Sequence, residues 1–135
     1  MLLPHGTVVA LADGERLELY RNMGRGLAPE LERIENPTLD EHNKGAGTHH
    51  HSNTGNPQPH LLEEDEHAAA VAEWLNGEVV DHRIEHLVVI AAPRTLGELR
   101  KHYHRLTGEA LVGELDKDLV GQPHERIVEA LLEKT

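Results

Sequence analysis

Three consecutive imidazoles, His49, His50 and His51, sit in a stretch that reads GAGTHHHSNTGNPQPH from Gly45 to His60, with His42 close by. Imidazole nitrogens bind zinc, nickel or copper, so a metal clip is one reading of this stretch, and a substrate loop or a flexible insertion are the others. Spacing and energy both weigh against a built metal site. Neighbouring residues of an extended segment point in different directions, whereas dedicated sites draw ligands from fixed elements. Ordering the residues from His42 to His51 costs roughly 10 to 20 kcal/mol. The best structural zinc sites return only about 10 to 16 kcal/mol, and those use thiolates. His49 and His51 are therefore weak metal candidates, and no cofactor is expected.

A second candidate is the junction Ala92-Pro93-Arg94-Thr95. It joins an apolar strand to a helix start, where unpaired amides and an arginine side chain suit an anion. Arg94 and Thr95 are its candidate ligands, and an ordinary capped turn with a solvent-facing Arg94 is the competing reading. A third candidate is an acidic set for magnesium, Asp13, Glu18, Asp116 and Asp118, near strand ends. Asp13 is also explained by a turn, and Asp116-Lys117-Asp118 by a strand exit. His102 and His104, two residues apart, fall on different helix faces and read as solvated. No serine occupies a nucleophile elbow, and Gly45-Ala46-Gly47 is too short for a phosphate-binding loop.

These residues need elements to hold them. Thr7–Ala12 is a short apolar run, followed by Asp13-Gly14 and the alternating Arg16–Arg21, which predicts an antiparallel hairpin closed by a turn with positive backbone angles. The first strand should be central, and the second should show Leu17 and Leu19 to the core. A third strand over about 27–34 carries Pro29, which places it at an edge. From 36 to 58 there is no periodicity, and a run of that length in a compact domain is functional or disordered. Pro59 then opens a long helix with Ala68, Val71, Ala72, Leu75 and Val79 at helical spacing, ending near Gly77 or running on to about His82.

His86–Ala92 is apolar on both alternations, the pattern of an interior strand. Thr95-Leu96-Gly97-Glu98 reads as a capping box for a helix with Leu96, Leu99, Tyr103 and Leu106 on its buried stripe, stopped by Thr107-Gly108. Ala110–Leu115 gives another strand, parallel to its predecessor. Pro123 opens a last helix with Ile127, Val128, Leu131 and Leu132 inward. The sum is one α/β domain over 1–135: a mixed central sheet of about five strands with helices packed on it.

Composition narrows the function. The 135 residues hold no cysteine and no Phe, and one Trp, which excludes disulfides, thiolate chemistry and extensive base stacking. The formal charge of -11 repels phosphate backbones, so a nucleic-acid partner needs a local basic patch. Protonating all twelve histidines would move the charge from -11 to +1. Nothing approaches the roughly 18 apolar residues of a membrane span, and no secretory signal opens the chain, so a cytoplasmic protein is expected.

Four blocks together resemble the bacterial host attachment protein family, proteins required for attachment to host cells. They are Pro4–Val9 leading to Ala12-Asp13-Gly14; the Asn43-Lys44-Gly45 loop with its histidines; Ala68–Asn76; and, longest, Ala91–His104, AAPRTLGELRKHYH. That family is regarded as similar to the middle domain of the archaeal and eukaryotic class I peptide release factors. The resemblance implies a ribonuclease H-like topology and a ribosome or RNA contact. In those factors a loop before a long helix carries Gly-Gly-Gln, which positions a water against peptidyl-tRNA. Here the corresponding place reads Asn56-Pro57-Gln58, and Pro57 removes an amide and fixes an angle that glycine leaves free. Gln58 is the one residue the resemblance carries over as a catalytic candidate, with Lys44, His49, His50 and His51 in the same loop.

Three classes of function follow. A non-catalytic cytoplasmic binding or adaptor domain, working through the loop or the Arg94 junction, fits best. A translation-associated release or rescue hydrolase is the alternative, and a metal-binding protein using the histidine loop the third. A homo-oligomer is compatible with all three.

Overall fold

The structure, a computed structural model, describes residues 1–39 and 59–133. The loop candidates Lys44, His49, His50, His51 and Gln58 lie outside the described residues. Five strands form one sheet in the order β3-β2-β1-β4-β5: β1 (Val8–Ala12), β2 (Leu17–Asn22), β3 (Leu31–Ile34), β4 (Leu87–Ala91) and β5 (Leu111–Leu115). β2 runs antiparallel to β1 and β3, whereas β1 and β4 pair in parallel, as do β4 and β5. The α/β class and the mixed five-stranded sheet expected from the sequence are what the chain adopts. β1 is central, β4 is interior, and β3 is an edge strand.

Period-two alternation splits the core into two layers. Val8, Ala10 and Ala12 of β1 face one side with Leu87, Val89 and Ala91 of β4. They meet α1 (Pro59–Val80), α2 (Pro93–Arg100) and α3 (Arg105–Ala110). Val9, Leu11, Val88 and Ile90 face the other side, against Ile127, Ala130 and Leu131 of α4 (His124–Glu133). Because both faces are covered, β1 and β4 are buried at every position. Ala68, Ala69, Ala70 and Ala72 are buried on α1, and side chains this small let the helix lie close on the sheet.

Five local expectations are corrected. Gly14 does not take a positive φ: the hairpin pairs Ala12 with Leu17 across a four-residue connection. The Asp13 side chain organises that connection by accepting the backbone N–H of Glu15 at 2.8 Å and that of Arg16. β3 is shorter than 27–34, because the chain first turns through a loop in which Leu27 is 83% exposed.

The third correction concerns the capping box. α2 begins at Pro93, with Ala92 as its N-cap and no side-chain cap bond. Proline, whose fixed φ suits the first helical position, starts the helix three residues early and leaves Thr95 buried in the first turn. Fourth, the expected continuous helix is broken in two between Arg100 and Arg105. His104, expected to be merely solvated, caps α3 by accepting the Leu106 N–H at 3.0 Å on Nδ1. Asn76 of α1 supports the break. It donates to the His102 carbonyl at 2.8 Å and accepts from the His104 N–H at 2.9 Å and the buried Thr107 hydroxyl at 2.6 Å. With the free ends satisfied, the break costs little, and Tyr103 and Leu106 still pack on the core. Finally, Ile127 and Leu131 of α4 face inward as expected, but Leu132 is exposed and Val128 only half-buried.

Candidate functional site

The carboxyl ends of β1 and β4 lie at one edge of the sheet, and the Asp13–Arg16 turn, the exit of β3 and the starts of α1 and α2 gather there. Ligands of open α/β sheets bind outside this edge. The described chain stops at Leu39 and resumes at Pro59, the first residue of α1, on this same edge.

A groove of about 350 Å³ lies where the described chain stops, lined by Arg16, Glu18, Arg33, Pro37, Leu39 and His67 among others. Each wall has a local cause. Asp13 Oδ2 holds the Arg16 guanidinium at 2.9 Å. Burial pushes the Asp13 carboxyl up, but the amides of Glu15 and Arg16 and the Arg16 guanidinium outweigh it and hold the group below its usual range. Arg33 of β3 lies over the Tyr20 ring at 5.5 Å, a cation–π contact that keeps its charge beside the groove. Glu18 is 4.0 Å from Arg33 and also accepts the Gly121 N–H at 3.2 Å, so the far wall is tied to the segment before α4.

His67 is the floor. It is 3% exposed, on the face of α1 that carries Ala68 and Val71, and its Nε2 lies 3.2 Å from the Arg16 carbonyl. A carbonyl can only accept, so Nε2 carries the proton and the imidazole locks the turn to the helix. The sequence reading missed this residue. The signal was available: a histidine on the buried stripe of a helix needs a polar partner across the interface.

The Arg94 junction lies at the start of α2 on the same edge. The Arg94 guanidinium donates to Asp65 Oδ1 at 2.9 Å, while Lys101 reaches Glu98 at 2.6 Å. Burial and the neighbouring Glu98 carboxylate raise the Asp65 carboxyl above its ordinary range, against the pull of Arg94 and Lys101. Thr95 is buried below. Arg94, Asp65, Glu98 and Lys101 thus form one charged cluster joining α1 to α2, half open to water.

The acidic magnesium set is not brought together. Among the described residues no three His, Asp or Glu side chains converge as a metal ion would require. Asp13 and Glu18 are instead occupied by arginines and backbone amides. The edge therefore offers paired charges, a shallow polar groove and helix amides, which suit reversible contact with a polar surface.

No helix among the described residues is long and apolar enough to cross a membrane. In comparison with known proteins, the model of the family described as bacterial archaeo-eukaryotic release factor family 12 matches residues 6–131, from the segment before β1 into α4. No curated protein matches the chain.

Proposed function

The chain belongs to bacterial archaeo-eukaryotic release factor family 12, and we propose that it is a cytoplasmic, non-catalytic binding domain that contacts the translation machinery through the carboxyl edge of its sheet. The observation that carries this reading is the family match over residues 6–131, with an edge at which Leu39, the last described residue before α1, lines a groove together with Arg16 and Arg33. The ribonuclease H-like topology that the sequence resemblance implied is part of this proposal, and the sheet order β3-β2-β1-β4-β5 with β2 reversed supports it.

The charge of the chain sets the mode of contact. At -11 it is repelled from RNA at long range, so binding relies on local cations: Arg16 and Arg33 at the groove, Arg94 with the α2 amides, and Lys44, which lies outside the described residues. Arg94 must exchange Asp65 for an RNA phosphate, a swap between exposed ion pairs that costs little. Attachment to a host, the property for which the resembling family is named, is then an indirect consequence of altered translation.

Cosedimentation with ribosomes tests the reading. The wild-type chain should pellet with ribosomes at low salt and lose most of that association in the Arg16→Glu, Arg33→Glu double variant. Absence of any ribosome association would overturn it. The alternative, a release or rescue hydrolase, rests on Gln58 alone. It is favoured only if the protein frees peptide from peptidyl-tRNA and Gln58→Ala abolishes that release.

A further inference from the structure

The opposite edge of the sheet, at the amino ends of β1, β4 and β5, has a different chemistry. Of the five large apolar side chains well exposed among the described residues, four are on elements that end or begin here: Leu2, Met23, Leu27 and Val80. Two features flank this edge.

On the β2–β3 side, the loop after Asn22 presents Leu27 at 83% exposure, and it is firmly held. The buried Asn22 carboxamide donates to the Leu3 carbonyl at 3.1 Å and the Pro4 carbonyl at 3.3 Å. It accepts from the Gly24 N–H at 3.0 Å and the Glu30 N–H at 2.9 Å. Met23 N–H bonds the Glu30 carbonyl at 2.8 Å. A loop pinned at both ends loses little entropy when its tip is captured. Beside Leu27, Arg25 has no carboxylate partner among the described residues, and its nearest polar neighbour is His5 at 3.5 Å.

On the α1–β4 and α3–β5 side, Val79, Ile84, Leu106 and Ala110 floor an open groove of about 430 Å³, with His82, Glu85 and Glu109 on its rim. Glu109 is paired with Arg105 at 2.7 Å, whereas Glu85 has no ion-pair partner among the described residues. An unpaired cation beside an exposed leucine thus sits at one flank, and an unpaired anion beside an apolar groove at the other.

We propose that this edge is a self-association surface, and that its occupant is a second copy of the chain related by a two-fold axis. Because knob and groove share one edge and lie on opposite sides of β1, such an axis places the Leu27 loop of each copy on the partner's groove. The two contacts are then identical and the assembly closes at two. Leu27 fills the floor of Val79, Ile84, Leu106 and Ala110, and Arg25 meets Glu85. The carboxyl edge of each copy faces outward, clear of the contact. Mutual repulsion of two chains at -11 is screened by salt while apolar contact is not, so the dimer tightens between low and physiological ionic strength.

Sedimentation equilibrium on the full chain tests this. The wild type should be a monomer–dimer system, and Leu27→Asp should weaken dimerisation by about thirtyfold or more, as expected for an anchor residue. Arg25→Glu and Glu85→Arg should each weaken it, and the two together should restore it. Circular dichroism shows whether each variant is folded. Ribosome cosedimentation by the monomeric Leu27→Asp variant separates this proposal from the role of the other edge. A wild type monomeric at all attainable concentrations, a dimer indifferent to Leu27→Asp and to the charge swap, or assembly beyond two would each overturn it.

Discussion

The two edges of the sheet solve opposite problems with the same scaffold. At the carboxyl edge the side chains are charged and mutually engaged: Asp13 with Arg16, Asp65 with Arg94, Glu98 with Lys101. At the amino edge the backbone is organised by one buried amide side chain, and exposed apolar side chains stand among a few charged ones such as Arg25 and Glu85. Exposed ion pairs are individually worth little, which makes the carboxyl edge easy to rearrange around a polar partner. Exposed leucine and methionine on a fixed loop are costly to leave in water and cheap to bury, which suits the amino edge to association.

The sharpest way to break the comparison is through what the edges share. Leu11 is fully buried in β1, the central strand, and Leu11→Ala should cost about 3 kcal/mol in urea unfolding and loosen both edges together. If hydrogen exchange then changed at one edge alone, the two would not rest on a common core. A local version comes next. Asn22→Ala strands the Leu3 carbonyl and two N–H groups, while the Pro4 carbonyl keeps the Thr7 N–H and hydroxyl, and should cost about 2 kcal/mol. Its exchange protection should fall across 23–30 and stay unchanged around Arg16 and His67.

The smallest effect is set by pH at the carboxyl edge. Asp13 is held below its ordinary value of 3.8, so the folded state binds fewer protons than the unfolded one. The stability it contributes is complete above that value and is lost as pH falls through the lower folded value. Asp13→Asn should cost under about 1 kcal/mol at neutral pH and flatten the acid side of the stability profile below pH 3.8. Asp65, raised in the folded state, works in the opposite sense, so Asp65→Asn should leave that acid loss in place.

Much of the scaffold was legible because its signals are periodic. The apolar runs of β1 and β4 and the Pro59 start of α1 follow from patterning, and β3 lies at the edge as expected although Pro29, the reason for expecting it, falls outside the strand. The turn at Asp13 and the break between α2 and α3 were not, for one reason. Both are fixed by single side chains, Asp13 acting on the amides two and three positions on and Asn76 on residues 26 to 31 positions away. At the site, Arg94 and Thr95 could be named as a junction, but the partner Asp65 lies 29 positions earlier and left no mark in the local pattern. Arg16, Arg33 and His67 come together only through tertiary contact, across 51 positions in the case of His67 and Arg16.

The 22-residue helix α1 begins at the edge where Pro59 resumes the described chain and ends at the groove that Val79 floors. At 1.5 Å per residue it is a rod of about 33 Å, running from the carboxyl edge of the sheet to the amino edge. Both edges therefore share one rigid element, and its length, packed along the sheet by Ala68, Val71, Ala72 and Leu75, fixes the distance between them.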